Sequence, residues 1–590
     1  MSKFESGRKL IASLLFSALL VVSCDAQATP VAETHSEPSY KTAQPATESV
    51  DLGMYERIRD EGLLHSHVME YASALSDDIG PRLTGSPNMM KADQWVREQL
   101  TALGCSDVHL EDWGEFGMGW QQLNTWVRMT SPDIAVFTAQ AVPWSPSTRG
   151  PISADAVYVD IQNVADFEKY RGKLAGKIVL LGTLRAVPPV DKPLFRRYSD
   201  QDLVDLVADP AANPDDVDTP EQLRAYVQLY RLREKIAQFL VDEKAAVVIR
   251  PSRDQRDGGG SGGTIIDDSG MGLSHEPYLA DRDIKLPIVV LAIENYGRVV
   301  RLLQNHVPVK IEIGVETKVT GDHERGYNVI ADIPGTDPVL KDQIVMIGAH
   351  LDSWASGTGA TDNGAGSAAV LEVARILKAL SVHPRRTIRF SLWSGEEEGI
   401  FGSRGYVKQH LADVTLSASP DQLALPDYLR EISVLHLKPE HELLSAYFNV
   451  DYGPGRIRGL YLEGNEAVKP IFAQWIAPLR DLGVTTLTMR GIGSTDHTSF
   501  DAVGIPAFQF IQDQLDYESR AHHSNMDTYE RLVPGDLKQI AMVEAIFAYD
   551  AAMRDQMLPR KPLPNPELRK RVDAPLPNLF PDATSSPERQ

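Results

Sequence analysis

The sequence predicts an α/β protein whose mainly parallel mixed sheet is flanked by helices and interrupted by an inserted β-rich domain. Three observations predict it. From Tyr327 onward, apolar strand-like runs alternate with helical periods, the pattern of strand–helix–strand crossovers. Gln343–Gly348 is a continuous apolar run, as expected of a strand buried on both faces. Between Ser131 and Thr317 the character changes to short β-type runs with turn-rich and charged stretches between them.

The elements follow in order. A basic start ending at Lys9 precedes an apolar stretch from Leu10 to Ser23, too short for the roughly 20 residues that span a bilayer, so residues 1–24 read as a secretory signal. Its end, Val21-Val22-Ser23-Cys24, resembles the bacterial lipobox. That resemblance implies an exported, periplasmic or cell-envelope lipoprotein attached to the membrane through lipidated Cys24. Residues 25–50 are rich in Thr, Ser, Pro and Ala and read as a tether.

Residues 51–130 open the α/β domain. Here Ala92, Trp95, Val96, Gln99, Leu100 and Leu103 recur at helical spacing over Met89–Leu103, after the turn-rich loop Ile79–Pro87. The insert, 131–317, carries strand candidates Ala156–Val159, Lys177–Leu181, Ala246–Ile249 and Pro287–Ile293, a charged segment Tyr198–Glu243 that turns helical toward its end, and a Gly-rich stretch, Asp257–Gly263. Residues 318–558 complete the α/β domain, with a helix over Ala368–Leu380 and strands at Thr387–Trp393, Tyr447–Val450 and Ile505–Ile511. The polar, Pro-rich tail 559–590 reads as disordered.

Composition sets limits. The chain has 590 residues, 43% hydrophobic and 24% charged, which excludes wholesale disorder and a multi-span membrane protein. Lys+Arg number 59 against 81 Asp+Glu, a formal charge of −22, so no nucleic-acid partner is expected. Two cysteines, Cys24 and Cys105, exclude thiolate-rich metal sites.

In an open α/β sheet, ligands gather at the carboxyl edge of the strands. His350 and Asp352 lie just past the first buried strand, Glu396 and Glu397 just past Trp393, and Asp451 just past Tyr447–Val450. Asp362, in Gly359–Gly366, precedes the next helix. Each has an ordinary reading in isolation: Asp362 as a helix cap, the Glu396–Glu398 run as a solvated turn, His350 as a structural histidine. Together, so many carboxylates at one edge would repel each other without cations.

The segments His350–Ser353, Gly359–Gly366, Trp393–Gly399 and Ala521–Thr528, in that order, resemble the dizinc exopeptidases of the aminopeptidase and plasma glutamate carboxypeptidase (carboxypeptidase Q) family. The insert resembles a protease-associated domain. The resemblance implies the zinc-exopeptidase, phosphorylase/hydrolase-like fold and two zinc ions bridged by Asp362. His350 and Asp451 would complete one ion, and Glu397 and His523 the other, His523 being preferred to His522 because it directly precedes Ser524. It also implies that Asp352 orients His350 through the second ring nitrogen, and that Glu396 is the general base and acid acting on zinc-held water. Asp496 and His497, in Gly493–Phe500, resemble a substrate-side loop, with a structural loop role equally open.

The implied activity is zinc-dependent exopeptidase action on short peptides, as an aminopeptidase or dipeptidase. A non-catalytic binding protein on the same fold and a zinc glutaminyl cyclase-like enzyme are the alternatives. Peptide specificity, the choice of inner or outer membrane, and oligomeric state stay open.

Overall fold

The computed structural model describes residues 47–208, 220–266, 272–273, 276–279, 285–420, 422–425 and 427–562. The expected signal with Cys24, the tether up to residue 46 and the expected disordered tail from residue 563 lie outside them. Arg560 and Lys561 remain tied to the domain: Arg560 donates to the His441 and Leu444 carbonyls, and Lys561 pairs with Asp501.

Eight strands organise the α/β domain: β1 (Ser106–Ser131), β2 (Lys310–Ile333), β3 (Ile344–His350), β4 (Thr387–Trp393), β5 (Leu444–Asn449), β6 (Ile457–Tyr461), β7 (Thr486–Thr488) and β8 (Ala507–Gln512). Seven of them lie in the order β7-β6-β8-β5-β3-β4-β2, and β1 pairs with β2 off this path. The central four, β8, β5, β3 and β4, are parallel, whereas β2 runs antiparallel to β4 and β6 antiparallel to β8. Burial on both faces of β3 explains its unbroken apolar run. Val345, Ile347 and Ala349 enter the main core, and Met346 enters a second cluster with Trp393 and Tyr447. Each fully buried Val or Ile of this kind contributes about 1.5–3 kcal/mol.

The helices begin where local chemistry allows. Ser86 accepts a hydrogen bond from the Met89 amide at 3.2 Å and Pro87 occupies the first turn, so the helix Pro87–Ala102 starts two residues before its apolar period. The helix expected over Ala368–Leu380 covers Ala365–Ala379 and is buried along most of its length. A helix not read from the sequence, Pro534–Met553, is likewise buried nearly all round.

The two longest strands were also not read from the sequence. β1 and β2 form an antiparallel ribbon, from Ser106 opposite Asp332 to Ser131 opposite Lys310. Trp113 lies over Gly326 on the partner strand, where a Cβ would sit 1.8 Å from the indole. At its far end the ribbon pairs with Ile152–Val159. That strand starts a parallel series with Ile178–Leu181, Val247–Pro251 and Ile288–Leu291. The helices Asp200–Ala208, Pro220–Asp242 and Ile293–Gln304 belong to the same segment. The apolar run Pro287–Ile293 thus divides into a strand and the first turn of a helix. Phe116 on the ribbon, Trp144 and Tyr278 of the insert, and Trp354 near the sheet edge share one core.

Candidate metal centre

The carboxyl ends of β3, β4 and β5 converge on one cleft. β3 ends at His350. After β4, Gly395 takes a positive φ of 71°, a conformation glycine adopts without strain, and turns the chain into the short helix Glu396–Gly399. Asp451 follows β5 by two residues. Asp362 comes from the turn Ala360–Gly364, and His522 and His523 come from the segment after Tyr517–Ala521.

The central carboxylate divides its oxygens between two groups. His350 Nε2 lies 3.3 Å from Asp362 Oδ1 and 2.9 Å from Asp451 Oδ1. His523 Nε2 lies 3.6 Å from Asp362 Oδ2 and 3.0 Å from Glu397 Oε2. His522 Nε2 is farther from Asp362, at 3.9 Å, and its ring lies against that of His523. Three overlapping sets, His350 with Asp362 and Glu397, His350 with Glu396 and Asp451, and Asp362 with both histidines, each bring their ligand atoms within 4.8 Å of one another.

Electrostatics calls for a cation. Burial pushes the Glu397 carboxyl up to about 8, with Asp362 adding to the effect. Burial also pushes Glu396 well above its usual range, partly opposed by His350, while Asp451, Asp496 and Glu397 add to the rise. Asp362 is held low despite its burial, because His350, His522 and His523 surround it. Asp362 Oδ2 and Glu397 Oε1 are buried without a hydrogen-bond partner. Imidazole and carboxylate donors with orphaned, buried oxygens fit zinc: His350, Asp362 and Asp451 would hold one ion, and Asp362, Glu397 and His523 a second.

The surrounding contacts fix this geometry. His350 Nδ1 is 3.1 Å from the backbone oxygen of Asp352 and 3.6 Å from its Oδ1. The Asp352 carboxylate accepts from the Glu397 amide and the Thr84 hydroxyl, each at 3.2 Å. Asp527 accepts from the Thr361 amide and hydroxyl and from the Asp362 amide, which holds the Asp362 turn. Arg82, fully buried, donates to the carbonyls of Leu75, Gly80, Leu351, Thr358 and Gly359. It ties the loop Ile79–Pro87 to the end of β3 and to the Asp362 turn, a role its sequence context did not disclose.

The cleft itself is about 240 Å³, and Ile400, Tyr452, Ser494, Tyr517 and Glu518 complete its wall. Asp496 and His497 are fully buried rather than part of that wall, and His497 Nε2 lies 3.3 Å from Glu463. Ser494 is the residue of their loop that lines the cleft. Tyr452, Tyr517 and Glu518 also line an adjoining chamber of about 430 Å³, to which the insert contributes Tyr198, Asp202, Asp205 and Leu206.

Residues 328–548 match the model of Peptidase family M28. Carboxypeptidase Q of Mus musculus is 24% identical over 509 residues, covering 85% of this chain and 88% of that protein. A probable lipoprotein aminopeptidase of Mycobacterium tuberculosis is 30% identical over 237 residues, 39% of this chain and 41% of that one. Among solved structures, a peptidase M28 precursor from Shewanella amazonensis superposes with a TM-score of 0.59 at 23% identity, over 87% of this chain and 98% of that chain.

Proposed function

We propose that this chain, which belongs to peptidase family M28 and is a zinc metallopeptidase, is an exopeptidase of short peptides in which Glu396 moves the proton. The observation that carries this reading is the division of Asp362 between two groups, one oxygen toward His350 and Asp451 and the other toward Glu397 and His523. Two zinc ions bound there would supply Lewis acidity and a lowered pKa for water at neutral pH. Asp352, through the contacts of its backbone oxygen and carboxylate, keeps His350 and Glu397 in register.

Glu396 stands within 4.8 Å of the ligand atoms of His350 and Asp451, the reach a group moving a proton at that site needs, and burial raises its pKa above that of a solvated Glu. Its carboxylate takes a proton from the attacking water and returns it to the nitrogen of the leaving amine. The segment 131–317, hung on the β1–β2 ribbon between the catalytic portions 51–130 and 318–558, acts as a protease-associated domain and furnishes one wall of the larger chamber.

Elemental analysis joined to a dipeptide panel tests the reading. About two zinc ions per chain are expected, and Glu396→Gln should keep them while losing about 10²–10⁴-fold in turnover. Activity unchanged in Glu396→Gln, or a chain that takes up no zinc, overturns it. The same proposal places the protein in the cell envelope through lipidated Cys24, supported by the lipobox-like end and by the name of the mycobacterial relative. Cys24→Ser should move the protein from the membrane to the soluble fraction; retention in the membrane rules out this anchor.

A further inference from the structure

The Gly-rich stretch Asp257–Gly263 of the insert lies against the segment that delivers the two histidines. A Cβ on Gly259 would run into the Ser519 carbonyl, so the close approach requires glycine there. Beyond the glycines, the Ile265 amide donates to Asn525 Oδ1 at 2.7 Å, the Asn525 amide donates back to the Ile265 carbonyl at 3.0 Å, and Asn525 Nδ2 donates to the Gly263 carbonyl at 3.1 Å. Ile266 and Ser524 pair as an isolated antiparallel bridge. Just ahead of the glycines, Gln255 Nε2 donates to the His522 carbonyl at 2.6 Å.

That carbonyl belongs to the middle peptide of a tight turn. The Ser524 amide donates to the Ala521 carbonyl at 3.0 Å, which closes a four-residue turn with His522 and His523 at its centre. His522 has φ −50° and ψ 119°, and His523 has φ 53°. This is the type II arrangement, which favours glycine at the third position. A type I turn spans the same four residues with the middle peptide reversed, and it gives the third residue a negative φ open to any side chain. Local preference at His523 therefore runs toward type I. Gln255 opposes it, because reversal would carry the His522 carbonyl away from the Gln255 donor and forfeit a bond worth about 0.5–1.5 kcal/mol. The backbone of His523 turns with that peptide, and so does the ring that reaches Glu397 Oε2 at 3.0 Å and Asp362 Oδ2 at 3.6 Å.

Resting on the dizinc reading above, we infer that Gln255 is a positioning residue of the metal centre: from the insert, it holds the His522–His523 peptide in the type II orientation and so aims His523 at the second zinc ion. The insert thus completes the metal site as well as walling the chamber. The ion held by His350, Asp362 and Asp451 does not depend on it.

Chelator competition on the full chain reads the two zinc affinities, and anomalous scattering at limiting zinc locates the ion that is lost. Gln255→Met keeps the length of the side chain without an N–H donor. It should bind the ion at Glu397 and His523 about 10–100-fold more weakly, the usual loss when a contact that orients a ligand is removed, while the ion at His350 and Asp451 keeps its wild-type affinity. Gln255→Glu puts an oxygen in place of the donor and should show the same loss, although its negative charge would by itself favour a cation. A crystal structure of zinc-free Gln255→Met should show His523 at negative φ with the Ser524–Ala521 bond intact. Unchanged affinities in either variant, equal weakening of both ions, or a type II turn retained in Gln255→Met overturns the inference and leaves the dizinc centre standing. A wild type that holds fewer than two zinc ions overturns the dizinc reading and the inference with it.

Discussion

Trp354 packs edge-on against His523, with 5.8 Å between ring centroids. Trp354 in turn meets Trp144, and Trp144 meets Tyr278, so an unbroken run of aromatic rings leads from the insert to a proposed zinc ligand. His523 sits at a positive φ of 53°, a backbone conformation uncommon for residues other than glycine.

Trp354→Ala should therefore weaken zinc binding by about 10–100-fold, the usual consequence of losing a contact that orients a ligand. Trp354→Phe should keep most of the affinity, because an aromatic edge remains. Titration against a competing chelator reads both. Identical affinity in the alanine variant would mean that His523 is held by other contacts.

Arg82 distributes its donors among five carbonyls from three separated stretches of chain. Arg82→Met leaves those carbonyls buried and unpaired, and should cost at least about 3 kcal/mol in urea unfolding. Arg82→Lys should not restore stability, since an ammonium cannot reproduce the planar fork. A loss under about 1 kcal/mol in the methionine variant would show that the carbonyls find substitutes.

Glu544, on the helix Pro534–Met553, is fully buried with both oxygens unpartnered, and burial pushes its carboxyl well above the usual range. The folded state thus holds a proton that the unfolded chain releases near pH 4.3. The sign follows: this group makes folding less favourable as pH rises above about 4.3, until the folded pKa is reached. Glu544→Gln should accordingly raise the melting temperature more at pH 8 than at pH 5. A gain that is the same at both values, or larger in acid, contradicts the assignment.

What could be read beforehand depended on how local each signal is. His350, Asp362, Glu396, Glu397 and Asp451 each follow a strand or turn that is recognisable within a few residues, so their convergence was legible. Arg82 was not, because its partners are backbone carbonyls that only the folded chain brings together. The β1–β2 ribbon was hidden by Gly114, Gly117 and Gly119, which sit at register shifts and break the two-residue alternation. The helix Pro534–Met553 lacks an exposed polar face and so offers no amphipathic period. Gln255 gave no sign, since it and the His522–His523 turn meet only in three dimensions.

The ribbon also sets an order of events during synthesis. β1 emerges early, yet its partner β2 follows only after the whole insert has been made, on the order of ten seconds or more at 5–20 residues per second. For that interval β1, paired only over Val127–Met129 with the short strand Ala135–Phe137, is a long strand edge carrying Trp113, Phe116, Trp120 and Trp126, the kind of edge that invites association with other chains. Nascent chains truncated before Lys310 should be the species that chaperones hold, and completion of β2 the step that ends the hazard.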